Sequence, residues 1–323
     1  MTKIPSLLCA GTALALAGLS TVALAQNYPS KPVRLIVPFP PGGSNDIVGR
    51  LMAQELTEKL GRQVVVDNRG GAGGVLGTEI AANADADGHT LLIISVAYAF
   101  NPAMYKLRFD PLTAFVPVAI LGTGPNALTV SPKLPVNSVK DLIAMAKAQP
   151  GKLNYASAGV GSFQHLGSEL FRLMSNTNIV HVPFKGGGPA MADVIAGNTE
   201  ICLGSLIQMI PHVDSKRLKL LGIGGTQRAK VYPNVPTIAE AGVPGYDSSN
   251  WWGLLAPAKT PPGIVTRLRA ETTKILASPE VQKKFESQGA ETVKMAPDAF
   301  GRFIKSEMDK WGKVVREAGI KAE

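Results

Sequence analysis

Short runs of β-branched and aliphatic residues alternate with helix-patterned segments along this chain, and the alternation runs out once and begins again. That rhythm calls for parallel strands covered by helices, because a strand returns parallel to its predecessor only through a crossover. In the first set, Val33–Val37, Val64–Val66 and Leu91–Ile94 read as strands, with helices from about Asn45 to Leu60 and from Thr78. Ile47, Leu51, Leu56 and Leu60 fall near one face of the first helix. The second set places strands at Ala127–Val130, Leu153–Ser157, Ile179–Pro183, Ile201–Leu203 and Leu218–Ile223, with helices opening at Ser138, Ser162 and Gly188. A strand at Trp252–Ala256 follows. Three helices then close the chain, Pro262–Ala277, Pro279–Gln288 and Pro297–Ala318, each with proline near its first turn.

Two such sets in one chain exceed what a single core supports, so the expectation is an α/β protein of two lobes. The returning strand and helical tail make the first lobe discontinuous. Gly122–Asn126 and Gly245–Asn250 are rich in residues that interrupt regular structure, and the crossings are placed there. The expected division is 1–25 as a leader, 26–124 with 248–323 as lobe 1, and 125–247 as lobe 2.

The leader reading rests on Lys3, the apolar stretch Leu7–Ala25, and small residues Ala23 and Ala25 before Gln26, which fit export with cleavage after Ala25. A retained anchor is the alternative, but the stretch is short and no stop-transfer charges follow it. The leader thus predicts export across the cytoplasmic membrane. Cys9 lacks the flanking pattern of a lipidated cysteine, and with the leader gone Cys202 is alone in an apolar run, as a buried hydrophobe rather than a nucleophile. The formal charge of +9 falls to +8 when Lys3, the one charge in the leader, is lost. The basic residues are scattered, with few aromatics beside them, which argues against nucleic acid and fits either a field that gathers small anions or solvated helix faces.

Two loops carry the chemistry. Val37-Pro38-Phe39-Pro40-Pro41-Gly42-Gly43-Ser44-Asn45-Asp46 joins a strand end to a helix start, where open α/β sheets bind ligands. Helix-terminal amides there suit an oxyanion, although a tight turn capped by Asn45 or Asp46 reads equally well in isolation. A counterpart runs from Ser157 through Gly161, Ser162 and Phe163 to His165. Two such loops, one per lobe, would aim positive helix ends at a shared cleft.

At this point the sequence resembles a known family. Pro38–Gly43 with Asp46, Asn68-Arg69 with Gly71–Gly74, Ser157–Ser162 with His165, Val182–Gly186, Pro236–Gly242 and Trp252–Leu254 are similar to the Bug (TctC-type) receptors of tripartite tricarboxylate transporters. The resemblance covers nearly all of the chain after the leader. It implies a venus-flytrap periplasmic-binding-protein architecture, type II-like, that closes on a small carboxylate held by loop amides and bridging waters. It implies delivery to membrane transporter subunits or to a signalling partner, by a monomer without cofactor. Carried over, Phe39, Gly43, Ser44, Asn45 and Asp46 form one wall and Ser157, Gly161, Ser162, Phe163 and His165 the other. Ala97, Tyr98, Lys185 and Gly186 complete the pocket, and Gly204-Ser205 departs from the family's larger or acidic residues, leaving room.

Other chemistries fit poorly. Gly71–Gly77 has the spacing G-x-G-x-x-x-G rather than a dinucleotide fingerprint. Ser162, His165 and Asp193 suggest a periplasmic hydrolase acting on a small anion, the alternative class, but G-x-S-x-G is missing around Ser162. His89, His165, His181 and His212 are dispersed, with no metal-ligand spacing. Trp251-Trp252 is either a ligand face or, as more often, a buried strand pair.

Overall fold

The computed structural model describes residues 28–317 and 319–320. The expected leader at 1–25 lies outside them. Its strands form one mixed sheet in two halves. The first holds β1 (Val33–Val37), β2 (Val64–Asn68), β3 (Thr90–Ser95), β9 (Ser249–Pro257) and the short β10 (Glu291–Thr292); the second holds β5 (Asn154–Ser157), β6 (Val180–Pro183), β7 (Ile201–Ser205) and β8 (Lys219–Ile223). β4 (Phe115–Val130) belongs to both. Its residues 115–125 pair antiparallel with β9, and 126–130 pair antiparallel with β7 and β8.

Sequence patterning expected a break at Gly122–Asn126, whereas the strand runs straight through. Gly124 is opposite Asn250 and Pro125 opposite Ser249, so the backbone stays extended where the chain changes sheets. The two crossings are therefore one paired ribbon. The segments β1, β2 and β3 are parallel, as are β5, β6 and β7, so the α/β reading holds; β4 and β9 run against them.

The helices follow the strands closely. α1 (Ser44–Leu60) and α2 (Val75–Ala82) cover the first half, and α3 (Ala97–Met104) was not expected from the sequence. In the second half lie α4 (Val139–Ala148), α5 (Phe163–Met174), α6 (Gly187–Ala196) and an unexpected α7 (Leu206–Asp214). The tail is α8 (Pro262–Ala277), α9 (Pro279–Ser287) and α10 (Pro297–Glu317), within a residue of expectation at each helix end.

Alternate residues of β1 feed two cores. Leu35 and Val37 pack with Met52, Leu56 and Trp252, while Ile36 packs with Leu92, Leu255, Phe300 and Trp311. The tail helix α10 thus covers the opposite face of the first half. Each such side chain removed from water stabilises the fold by roughly 1.5–3 kcal/mol. Trp252 is fully buried and Trp251 donates from Nε1 to Glu307 at 3.0 Å, so the buried-strand reading of this pair is the right one. Cys202 is likewise fully buried, and burial pushes its thiol up to about 12.

A neutral cleft at four helix N-termini

β1 ends at Val37 because prolines at 38, 40 and 41 cannot continue a ladder. The chain turns through Gly43 and starts α1, whose first two amides, on Ser44 and Asn45, have no acceptor within the helix. On the other side β5 ends at Ser157, and Ser162 caps α5 by accepting from the His165 amide at 3.2 Å. Both loops open onto a cavity between the two halves of the sheet.

Of the expected residues, Phe39, Gly43, Ser44, Asn45, Ser162, Phe163 and Ser205 line this cavity. Its remaining lining is Ser95, Ala158, Gln164, Gly187, Gln208 and Asn250, none of them a candidate ligand residue from the sequence, although Ala158 and Gln164 lie inside the second loop. Four helices begin at lining residues: α1 after Gly43, α5 after Ser162, α6 at Gly187 and α7 after Ser205. Among the described residues no lysine, arginine, histidine or carboxylate contributes to the wall. The field inside is therefore that of helix termini, which is positive.

Asn250 ties the site together. Its Nδ2 donates to Ser205 Oγ at 3.1 Å and to Ser44 Oγ at 3.4 Å, and its Oδ1 accepts from the Val96 amide at 3.3 Å. Asn45 Nδ2 donates to Ser95 Oγ at 3.3 Å. Asn250, Ser205, Asn45 and Ser95 are almost wholly buried, so their bonds fix the rotamers that shape the wall.

The other expected residues sit elsewhere. Asp46 turns away from the cavity. Its carboxylate accepts from the Gly42 amide at 3.1 Å, Asn68 Nδ2 at 2.9 Å and Arg50 Nε at 2.9 Å. Burial alone would raise this carboxyl, but the Arg50, Asn68 and Gly42 donors outweigh it and hold it below its ordinary value. Asp46 is thus a clamp on the loop. Ser157 Oγ meets His181 Nε2 at 2.6 Å and accepts from the Gly159 amide at 3.1 Å. The Gly161 amide is taken by His165 Nδ1 at 3.3 Å, and the His165 ring stacks on His181 at 4.2 Å between centroids. These groups stand behind the wall and hold its loop. Burial lowers the pKa of His165, with Glu169 pulling the other way. Ala97 and Tyr98 border a small side cavity behind Phe39, with the Tyr98 hydroxyl bonded to Pro111 O at 2.5 Å. Lys185 and Gly186 face a separate outer chamber with Pro40, Gly71–Gly74 and Tyr105.

The hydrolase arrangement does not form. Ser162 Oγ caps its helix, His165 Nδ1 faces the Gly161 amide, and Asp193 is occupied by Asn198 and Thr199. Among the described residues no three His, Cys, Asp or Glu side chains come together as a metal site, and no helix is long and apolar enough to cross a membrane.

A two-part α/β sheet joined by a ribbon, with a polar cleft between its halves, is the architecture of a two-lobed solute-binding receptor. The chain belongs to the tripartite tricarboxylate transporter receptor family (TctC), whose model matches residues 48–320. It is 39% identical to BugT of Bordetella pertussis over 318 residues, 96% of each chain. An R. palustris protein solved with adipate superposes with a TM-score of 0.89 at 35% identity, over 91% of this chain and all of that one. A second Rhodopseudomonas palustris protein, solved with bound malate, gives 0.83 at 31% identity, over 89% of this chain and all of that one. The chain is a periplasmic solute-binding receptor.

Proposed function

We propose that this receptor captures a small carboxylate in the cleft between its halves and presents it to the membrane subunits of a tripartite transporter. One observation carries the reading: four helix N-termini open on a cavity whose wall, among the described residues, holds no charged side chain. Unpartnered amides and aligned peptide dipoles are a ready anion site, each helix end contributing roughly 0.3–1 kcal/mol when exposed and more when partly buried. Adipate and malate in two similar proteins support a carboxylate as the class.

In this reading residues 26–124 with 248–323 form one lobe and 125–247 the other, and they close as a monomer on the ligand. Phe39, Gly43, Ser44 and Asn45 supply one wall; Ser162, Phe163 and Ser205 supply the other. Residues 1–25 act as the export leader, so the protein recovered from the periplasm begins at Gln26.

The test is a thermal-shift screen of dicarboxylates, tricarboxylates, aromatic acids and acidic amino acids against uncharged analogues. An acid at a hundred times its Kd should add about 2.7 kcal/mol of stability. Stabilisation by uncharged compounds alone would discard the carboxylate reading. Gly43→Leu sharpens the test. A Cβ at Gly43 meets nothing closer than Pro40 O at 3.9 Å and its φ of −88° suits any residue, so the variant folds while its side chain fills the anion site. Unchanged affinity there would remove this loop from the ligand's surroundings.

A further inference from the structure

Gln164, in the first turn of α5, and Gln208, in the first turn of α7, meet at the wall of the cleft. Gln164 Nε2 donates to Gln208 Oε1 at 3.4 Å. Both residues are only 4% exposed, and the remaining ends of the pair, Gln164 Oε1 and Gln208 Nε2, have no hydrogen-bond partner among the described residues. Two buried polar atoms left unpaired on neighbouring side chains are unfavourable until something satisfies them.

The pattern does not depend on how the two amides are oriented. One bond between two carboxamides uses one N–H and one carbonyl, so reversing both still leaves one free carbonyl and one free amino group. The space for the pair is also built in. A Cβ at Gly187 would lie 3.0 Å from Gln208 Nε2 and 3.1 Å from its Oε1, and one at Gly204 would lie 2.7 Å from Gln164 Nε2. Side chains at these two positions would displace the pair, so the glycines keep it at the wall.

We infer that Gln164 and Gln208 are the specificity determinants of the cleft, and that they select an acid whose second polar group is a neutral donor and acceptor, a carboxamide or hydroxyl, over one carrying a second ionised carboxylate. This rests on the carboxylate reading for the first end of the ligand. A carboxamide or hydroxyl gives a hydrogen to the free carbonyl and accepts one from the free amino group. A second carboxylate only accepts, and so brings its charge against a carbonyl oxygen with no cation in the wall to offset it.

The experiment is calorimetric titration of the full receptor at neutral pH with dicarboxylates from malonate to adipate, each against its own half-amide. At the best-fitting length the half-amide should bind at least about ten-fold more tightly, about 1.4 kcal/mol. In Gln164→Met/Gln208→Met that ratio should fall to within about two-fold. Gln208→Glu alone, a near-isosteric change, should weaken dicarboxylates further than half-amides. Equal or tighter binding of the dicarboxylate by the unmodified receptor overturns the inference, as does a ratio unchanged in the double variant or in Gln208→Glu. If neither acid of any pair binds, the carboxylate reading itself fails, and this inference with it.

Discussion

Asn250 Nδ2 stands 3.1 Å from Ser205 Oγ, and this bond joins the returning strand β9 to the start of α7 in the other half of the sheet. The same amide reaches Ser44 Oγ at 3.4 Å, so one side chain spans the N-termini of two helices that face the cavity. Changing Asn250 to aspartate would place an anion among those termini. At about 5 Å and an effective dielectric near 20, two like charges repel by about 3 kcal/mol. Asn250→Asp should therefore lose roughly a hundred-fold in affinity for acids at pH 7.5, whereas Asn250→Ala should lose less. Titration calorimetry on both variants checks the order; a reversed order would mean that charge is not what the cleft reads.

Much of this geometry was legible beforehand. The loop from Val37 to Ser44 announced itself because an aliphatic strand, a proline and glycine turn and an amphipathic helix lie contiguous in sequence. Gln164 lies inside the second loop but, like Asn250 and Gln208, carries no local mark of its partner, because the three come from different elements. A glutamine in a helix's first turn reads as solvated until the partner helix is placed against it. What holds Asp46 is hidden in the sequence for a related reason. Its position at a helix start fits a wall residue, but its partner Asn68 lies 22 residues away, on β2. Gly122–Asn126 looked like a break because glycine and proline are poor strand formers, yet pairing with β9 keeps the backbone extended.

The buried His165 ring makes a pH prediction. Burial lowers its pKa in the folded protein, while in the unfolded chain it sits near 6.5. The unfolded state then binds more protons between those two values. The contribution is fully present above the unfolded pKa and is lost as pH falls through the folded one. His181 and Tyr155 stack in series against it, and Glu169, paired with Arg172, is the charged group that acts on it. Urea melts at pH 7.5 and 5.0 should show falling stability, with the loss reduced in His165→Gln. An equal loss in both proteins would place the acid sensitivity elsewhere.

Tyr105, just past α3, donates its hydroxyl to Val160 O at 2.9 Å, bridging the two halves beside the outer chamber. A neutral hydrogen bond of this kind contributes about 0.5–1.5 kcal/mol. If closure depends on it, Tyr105→Phe should release ligand about two- to ten-fold faster while its melting temperature without ligand stays near that of the unmodified protein. Stopped-flow displacement measures the rate. No change in release would mean that the bond is made and broken without influence on the closed form.

The Asp46 clamp yields the sharpest separation between holding the loop and touching the ligand. Three donors converge on this carboxylate, and one of them, Asn68 Nδ2, also holds Phe39 O at 2.9 Å, so the wall residue Phe39 is fixed through Asp46. In Asp46→Ala the Gly42 amide and the Asn68 amide lose an acceptor together, which should cost about 1–3 kcal/mol of stability. Asp46→Asn keeps one carbonyl acceptor and should cost less. Affinity should fall in step with stability across the two variants, because the loop loosens rather than losing a contact to the acid. Because its pKa is held below the unfolded value, the contribution of Asp46 is fully present above about pH 4 and is lost as pH falls through the folded value, so the alanine variant should lose less stability in that acid range than the unmodified protein. Denaturant melts paired with titration calorimetry give both quantities. A variant that keeps full stability but loses binding would return Asp46 to the ligand-facing wall.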